Sequence, residues 1–265
     1  MNNATEQLES REAYHRKSWL RVSVLRVLGA LLLATQFASS KDFLWVQQAG
    51  GTRGGAIFRV AVDRGGNCYA GGYFADMATF GDTIVSGSGG SDVFLAKYDS
   101  NGNLLWIRTA GGRSDDYCYG VALDGNGNCY LTGSFQDTAV FGNALITSAG
   151  APDVFVAKYD SAGNFQWVRG AGGSYKDQGS GISVSQSGDV FVAGTFAGSA
   201  TFGPTTLTNS GFLGIEDIFL AKYDTDGNLS WVRKAGGDGS DFANGVVVDR
   251  AGNCFVTGSI YPNVA

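Results

Sequence analysis

Histidine is nearly absent from this sequence. The single one, His15, stands in the first forty residues, and none occurs from Lys41 to Ala265. Within that long segment the absence excludes Ser-His-Asp and Cys-His nucleophile arrangements, and His-ligated zinc or iron with them. Glutamate is almost as scarce: of 21 acidic residues beyond position 40, only Glu216 is Glu and the other 20 are Asp. Basic residues number 14 over the same stretch, a net charge of −7. A chain so short of positive charge lacks the basic stripe that a nucleic-acid backbone requires, so no nucleic-acid partner is expected. Proline occurs only 3 times against 41 glycines, a balance that suits tight turns between strands rather than a linker.

Long apolar runs are also missing, with one exception. "VLGALLLATQFA" (Val27–Ala38) follows Arg16, Lys17, Arg21 and Arg26, and the small residues Ala38, Ser39 and Ser40 close it. A basic segment, a short apolar core and a small-residue end read as a secretory signal. Only 14 residues separate Arg26 from Lys41, short for a bilayer span. The expected division is a signal peptide over residues 1–40, cleaved near Ser40/Lys41, and a repeat domain over 41–265. The mature chain is then expected to be secreted or held at the cell surface, with no transmembrane segment of its own.

What is present is a repeat. Trp45, Trp106, Trp167 and Trp231 are spaced by 61, 61 and 64 residues, and their surroundings recur in step. "AKYDSNGNLLWIRTAGG" (Ala96–Gly112), "AKYDSAGNFQWVRGAGG" (Ala157–Gly173) and "AKYDTDGNLSWVRKAGG" (Ala221–Gly237) are one phrase written three times. Each unit holds four strand-like pieces with alternating apolar and polar residues, illustrated by Gly120–Asp124, Asn128–Phe135, Asp153–Asp160 and Asn164–Arg169. A variable stretch such as "VFGNALIT" (Val140–Thr147) stands between the second and third pieces. The connectors "DSNGN", "DGNGN", "DSAGN", "DTDGN", "DRGGN" and "DRAGN" all read D-x-x-G-N, with Asp to bond the turn backbone and Gly for its positive φ.

Two hairpins per unit make a four-stranded antiparallel sheet. Such sheets in tandem are expected to stack as the blades of an all-β propeller, each covering its neighbour's face. Trp45, Trp106, Trp167 and Trp231, with Tyr98, Tyr159 and Tyr223, are then structural packing residues between blades. Only three units are complete. The partial fourth ends after "NCFVTGSI" (Asn253–Ile260), and "FLWVQQ" (Phe43–Gln48) is a lone fourth strand able to close onto that last unit. The expected architecture is therefore an incomplete propeller, a piece of a longer one.

The units resemble the bacterial SBBP-type β-propeller repeat of secreted and cell-surface proteins. The resemblance rests on "DVFLAKYDSNGNLLW" (Asp92–Trp106), "AGGRSDDYCYGVALDGNGNCYLTG" (Ala110–Gly133) and the "FG" pairs at Phe80, Phe141 and Phe202, and it extends over about residues 43–262. It implies a propeller fold and a surface location, and it brings no catalytic residues.

Chemistry is sparse. Cys68, Cys129 and Cys254 share a slot that Val190 fills in the remaining unit, which marks a small apolar core position rather than a disulfide framework; Cys118 stands apart. Glu216, Asp238 and Asp115 break the repeat. Phe212 and Tyr175 are the aromatics on variable loops. Asp116, Asp177 and Asp241 after "AGG", with Asp92, Asp153 and Asp217 at the third strand, fall on the side of the variable connections. They are candidates for weak Ca²⁺ binding or for a cationic partner, set against plain turn capping. No cofactor is expected other than structural Ca²⁺ at these aspartates. The expected function is a non-catalytic binding or structural module for a protein or glycan. The alternative is a propeller-fold enzyme, such as an Asp-dependent hydrolase, or the propeller part of a larger enzyme.

Overall fold

A computed structural model describes residues 45–211 and 214–261. The leader and its cleavage point lie outside the described residues, as does Phe212. Every regular element described is a β-strand, and every pairing is antiparallel.

The first blade runs β2 (Gly55–Val62), β3 (Cys68–Phe80), β4 (Thr83–Tyr98) and β5 (Leu104–Gly112), preceded by the short β1 (Ala49–Gly51). The second contains β6 (Tyr117–Leu123), β7 (Cys129–Phe135), β10 (Asp153–Tyr159) and β11 (Phe165–Gly173). Between its middle strands stands a small hairpin, β8 (Thr138–Phe141) and β9 (Ala144–Thr147). The third has β12 (Gln178–Val184), β13 (Val190–Ala197), β16 (Glu216–Tyr223) and β17 (Leu229–Ala235), with the hairpin β14 (Ser199–Phe202) and β15 (Thr205–Thr208). Strands β18 (Phe242–Val248) and β19 (Cys254–Ser259) are the inner half of a fourth. Inner strand packs on inner strand, β2 on β6, β6 on β12 and β12 on β18, the arrangement of propeller blades. Among the described residues the sheets do not close into a ring.

The D-x-x-G-N turns explain their own letters. Asp99 Oδ1 accepts the N–H groups of Asn101 (2.9 Å) and Asn103 (2.8 Å), and its Oδ2 accepts from Asn103 Nδ2 at 2.8 Å. Gly102, at φ +84°, donates to Asp99 O at 3.0 Å. Asp63, Asp124, Asp160, Asp224 and Asp249 hold the same set of Asx bonds.

The same phrase joins blades. The indole of Trp45 covers Gly102, Trp106 covers Gly163, and Trp167 covers Gly227, each glycine lying in the next outer turn. Arg108 Nε donates to Gly163 O at 2.7 Å and Arg169 Nε to Gly227 O at 2.9 Å, while each guanidinium also faces its own Trp ring. The phrase is thus a plug and its socket: Trp-x-Arg grips the turn of the following unit. Trp231 and Arg233, in the last complete blade, have no such turn against them among the described residues.

Two expectations change. The stretch between the second and third strands is not a loop. In the second unit it folds as β8–β9, and β8 pairs with β5 of the blade before, Gly111 opposite Val140; β14 pairs with β11 in the same way. The FG phrase makes this possible. Phe141 is buried against Phe155 (4.8 Å between ring centres) and Gly142, at φ +59°, turns the hairpin. The N-terminal strand also docks elsewhere than on the last unit. Ala49–Gly51 pairs with Ala78–Phe80 of β3, so it stands where the outer strand of a preceding blade would stand.

Candidate binding face

The D-x-x-G-N turns occupy one face of the blades. The opposite face carries the strand entrances, the long connections and the six aspartates singled out above.

Those aspartates are not an exposed crowd. Asp92, Asp116, Asp153, Asp177, Asp217 and Asp241 are all at most 4% exposed, and they meet in three pairs. Each pair flanks one glycine: a Cβ on Gly172 would meet Asp153 and, at 2.8 Å, Asp177 Oδ2, and Gly111 and Gly236 are flanked alike. Glycine is required there because carboxylates take the space of a side chain. Asp177 Oδ2 accepts from Gly173 N (2.8 Å), its Oδ1 from Ala197 N (3.1 Å), and its own N–H donates to Pro152 O at 2.7 Å. Asp116 and Asp241 repeat this, tying the end of one blade's outer strand to the second strand of the next.

Burial pushes the Asp116 and Asp177 carboxyls up to about 7, and the facing Asp92 or Asp153 adds like-charge repulsion. Burial likewise pushes Asp153 up to about 6, and Asp92 upward. As Ca²⁺ sites the pairs fit poorly. Ca²⁺ takes six to eight oxygens, whereas here two carboxylates meet and backbone N–H groups already occupy both oxygens of Asp116, Asp177 and Asp241. Among the described residues no three His, Cys, Asp or Glu side chains converge. The geometry is that of a clasp between blades.

The packing residues lie inside. Tyr98, Tyr159 and Tyr223 are buried, and Trp167 is 9% exposed while Trp45, Trp106 and Trp231 are half-buried. The four cysteines are free, with Cys118 and Cys129 fully buried. Of the repeat-breaking acids, Asp115 Oδ1 accepts from Ser91 N at 2.8 Å, Glu216 is half-buried at a strand entrance, and Asp238 is exposed. Tyr175 is partly exposed, its ring against Gly198.

Two clusters escaped the linear reading. Each inner strand carries a bulge, and the bulged residues are Phe58, Tyr119, Ser180 and Asn244. Between the first two blades Phe58 meets Tyr119 (5.2 Å) and Tyr73 (5.6 Å), and Tyr117 meets Tyr73 (4.9 Å) and Tyr119 (5.9 Å). At the corresponding boundary of the third and fourth blades the positions turn polar. A groove of about 250 Å³ opens there, with Lys176, Gln178, Ser180, Glu216, Phe242 and Asn244 among its walls. The signal lay in the sequence: Tyr117, Gln178 and Phe242 share one slot, and Tyr119, Ser180 and Asn244 another, in units that otherwise follow one pattern of apolar and turn residues.

Comparison with known proteins agrees with the repeat. The SBBP β-propeller repeat model matches residues 105–134 and 230–261. An uncharacterised WD repeat-containing protein of Acanthamoeba polyphaga mimivirus is 28% identical over 173 residues, 59% of this chain and 12% of that protein. The regulatory protein FlaEY of Caulobacter vibrioides is 29% identical over 198 residues, 70% of this chain and 20% of its own length. The chain therefore spans a fifth or less of the curated relatives it matches.

Proposed function

We propose that this chain of SBBP-type β-propeller repeats is a non-catalytic binding module, which presents its variable face to a protein or glycan partner outside the cell. One observation carries the reading. Side chains that break the repeat gather at the inner-strand entrances, as the aromatic cluster between blades one and two and the polar groove between blades three and four. Diversity on a rigid repeated scaffold is the pattern of recognition surfaces. Aromatic faces beside hydroxyl, amide and carboxylate groups suit a sugar or a peptide edge. The relatives' names support this reading, since neither is that of an enzyme.

An Asp-dependent hydrolase would use carboxyls with raised pKa, and Asp116 and Asp177 have them. Both are fully buried, however, and hold backbone N–H groups, so a substrate has no path to them. The basic–apolar–small order of residues 16–40 supports export.

The test is a screen of glycan and surface-protein arrays with the wild type and the variants Phe242→Ala and Gln178→Ala. Specific binding lost in either variant supports the module. Binding that neither variant changes, or hydrolysis of a ligand, contradicts it.

A further inference from the structure

One position on the outer strands differs in every blade: the residue after Trp-x-Arg is Thr109, Gly170 or Lys234. In the third blade Lys234 turns its ammonium onto the neighbouring connection. It donates to Thr208 O at 2.7 Å and to Ser210 Oγ at 2.9 Å, and stands 3.7 Å from Asp217 Oδ2.

The same connection is built in the first blade. Ser88 N–H donates to Asp92 Oδ2 at 2.8 Å, as Ser210 N–H donates to Asp217 Oδ2 at 2.8 Å. Ser88 is therefore the counterpart of Ser210, and Ser86 of Thr208. The lysine is missing, since Thr109 takes its place. A cavity of about 200 Å³ opens beside it, lined by Ser86, Ser88, Asp92, Thr109, Val140 and Gly142. The second blade differs again: Ala149 replaces the serine, and Gly170 faces Phe135 and Ile146.

We propose that the first-blade cavity is a binding site for a primary ammonium group, and that a lysine side chain of a partner protein docks there. This rests on the binding-module reading and names the chemistry of its partner. The third blade shows the occupied form, with the chain's own lysine as ligand. An ammonium has three N–H donors. The first-blade cavity is lined by Ser86, Ser88 and Asp92, the counterparts of the three residues whose carbonyl, hydroxyl and carboxylate Lys234 uses, and Val140 offers an apolar wall for the alkyl stem. Asp92 is 2% exposed and faces Asp116, so a cation supplies the counter-charge that the pair lacks.

The experiment is an NMR titration with Nα-acetyl-lysine methylamide at millimolar concentration. Its Nζ-acetylated analogue is the control, with NaCl and CaCl2 at matched ionic strength. Saturable shifts at the amides of Ser86, Ser88 and Thr109, given by the lysine amide alone, are expected. Thr109→Lys installs the third blade's ligand; it should weaken the titration at least tenfold and raise the melting temperature. Ser88→Ala should weaken binding and leave the fold intact. An equal response to the acetylated analogue or to Ca²⁺ overturns the assignment, as does undiminished binding by Thr109→Lys. Failure here would leave the array screen unaffected, because that screen reads the groove of the last two blades.

Discussion

The indole of Trp167 covers Gly227 so closely that a Cβ on the glycine would stand 2.7 Å from the ring. The glycine also holds φ +79°, and its carbonyl accepts from Arg169. Gly227→Ala is expected to destabilise by at least the ~1–2 kcal/mol that positive φ costs an L residue. Trp167→Ala, and Trp106→Ala likewise, should cost about 3–5 kcal/mol, the usual range for truncating a packed aromatic. The double variant Trp167→Ala/Gly227→Ala should lose less than the two singles together, because removing the ring removes the clash. Urea melts of all the variants measure this, and strict additivity would show that ring and turn do not act as a unit.

Stability should depend on pH in two opposite senses. Asp99, Asp224 and Asp249 have lowered pKa, first through the Asn side chain of their own turn. Their contribution is present above the ordinary carboxyl range and is lost as pH falls through the lowered values. Asp116 and Asp177 are raised to about 7 by burial, so the folded chain holds protons that the unfolded chain releases. That contribution is present below the ordinary carboxyl pKa and disappears as pH rises toward 7. Melting temperature should therefore peak in mild acid and decline toward neutrality, and Asp177→Asn should flatten the decline. A profile that rises steadily to neutral pH would contradict the paired-carboxyl argument.

The thiols should react in two classes. Cys118 and Cys129 are fully buried, and burial pushes the Cys118 thiol up to about 12 and Cys129 well above its ordinary value. Cys68 and Cys254 are half-buried. A thiol reagent should label the latter pair first, and the former only as the chain unfolds. Four equally fast thiols would mean that the inner hairpins open readily.

Both ends of the stack expose surfaces that the interior buries. Val60 is 61% exposed, where its counterparts Val121 and Ile182 are 9% and 8%. Phe255 is 55% exposed, where Tyr69 and Tyr130 are fully buried. Association that grows with concentration is expected on gel filtration, and Val60→Lys and Phe255→Lys should reduce it. A monodisperse monomer at every concentration would contradict the reading of these faces as unfinished blade interfaces.

What the linear sequence reveals follows the distance over which each contact acts. The Asp, Gly and Asn of D-x-x-G-N act within five residues, so the turns were readable from their spelling. The Cys/Val slot was readable because four aligned copies fill one position of the repeat, buried at Cys129 and Val190 and half-buried in the two end units at Cys68 and Cys254. The β5–β8 pairing was not, since Gly111 and Val140 meet across a whole inner hairpin. The burial of Asp116 was hidden for the same reason: Gln136 N–H, which helps hold it, lies twenty residues away. Phe58 and Tyr119 looked like ordinary strand residues until the bulges turned them toward each other.

The hairpin that β8 and β9 add to the first blade gives assembly a direction. The outer strand β5 finds its last partner only in residues that follow it by nearly half a unit. On a ribosome, a newly emerged blade keeps an open border until its successor has been made, and the successor's hairpin then seals it. Folding should advance from the amino end like overlapping roof tiles, each course weatherproofing the one laid before. A pause in translation between β7 and β8 would leave that border of β5 without its partner.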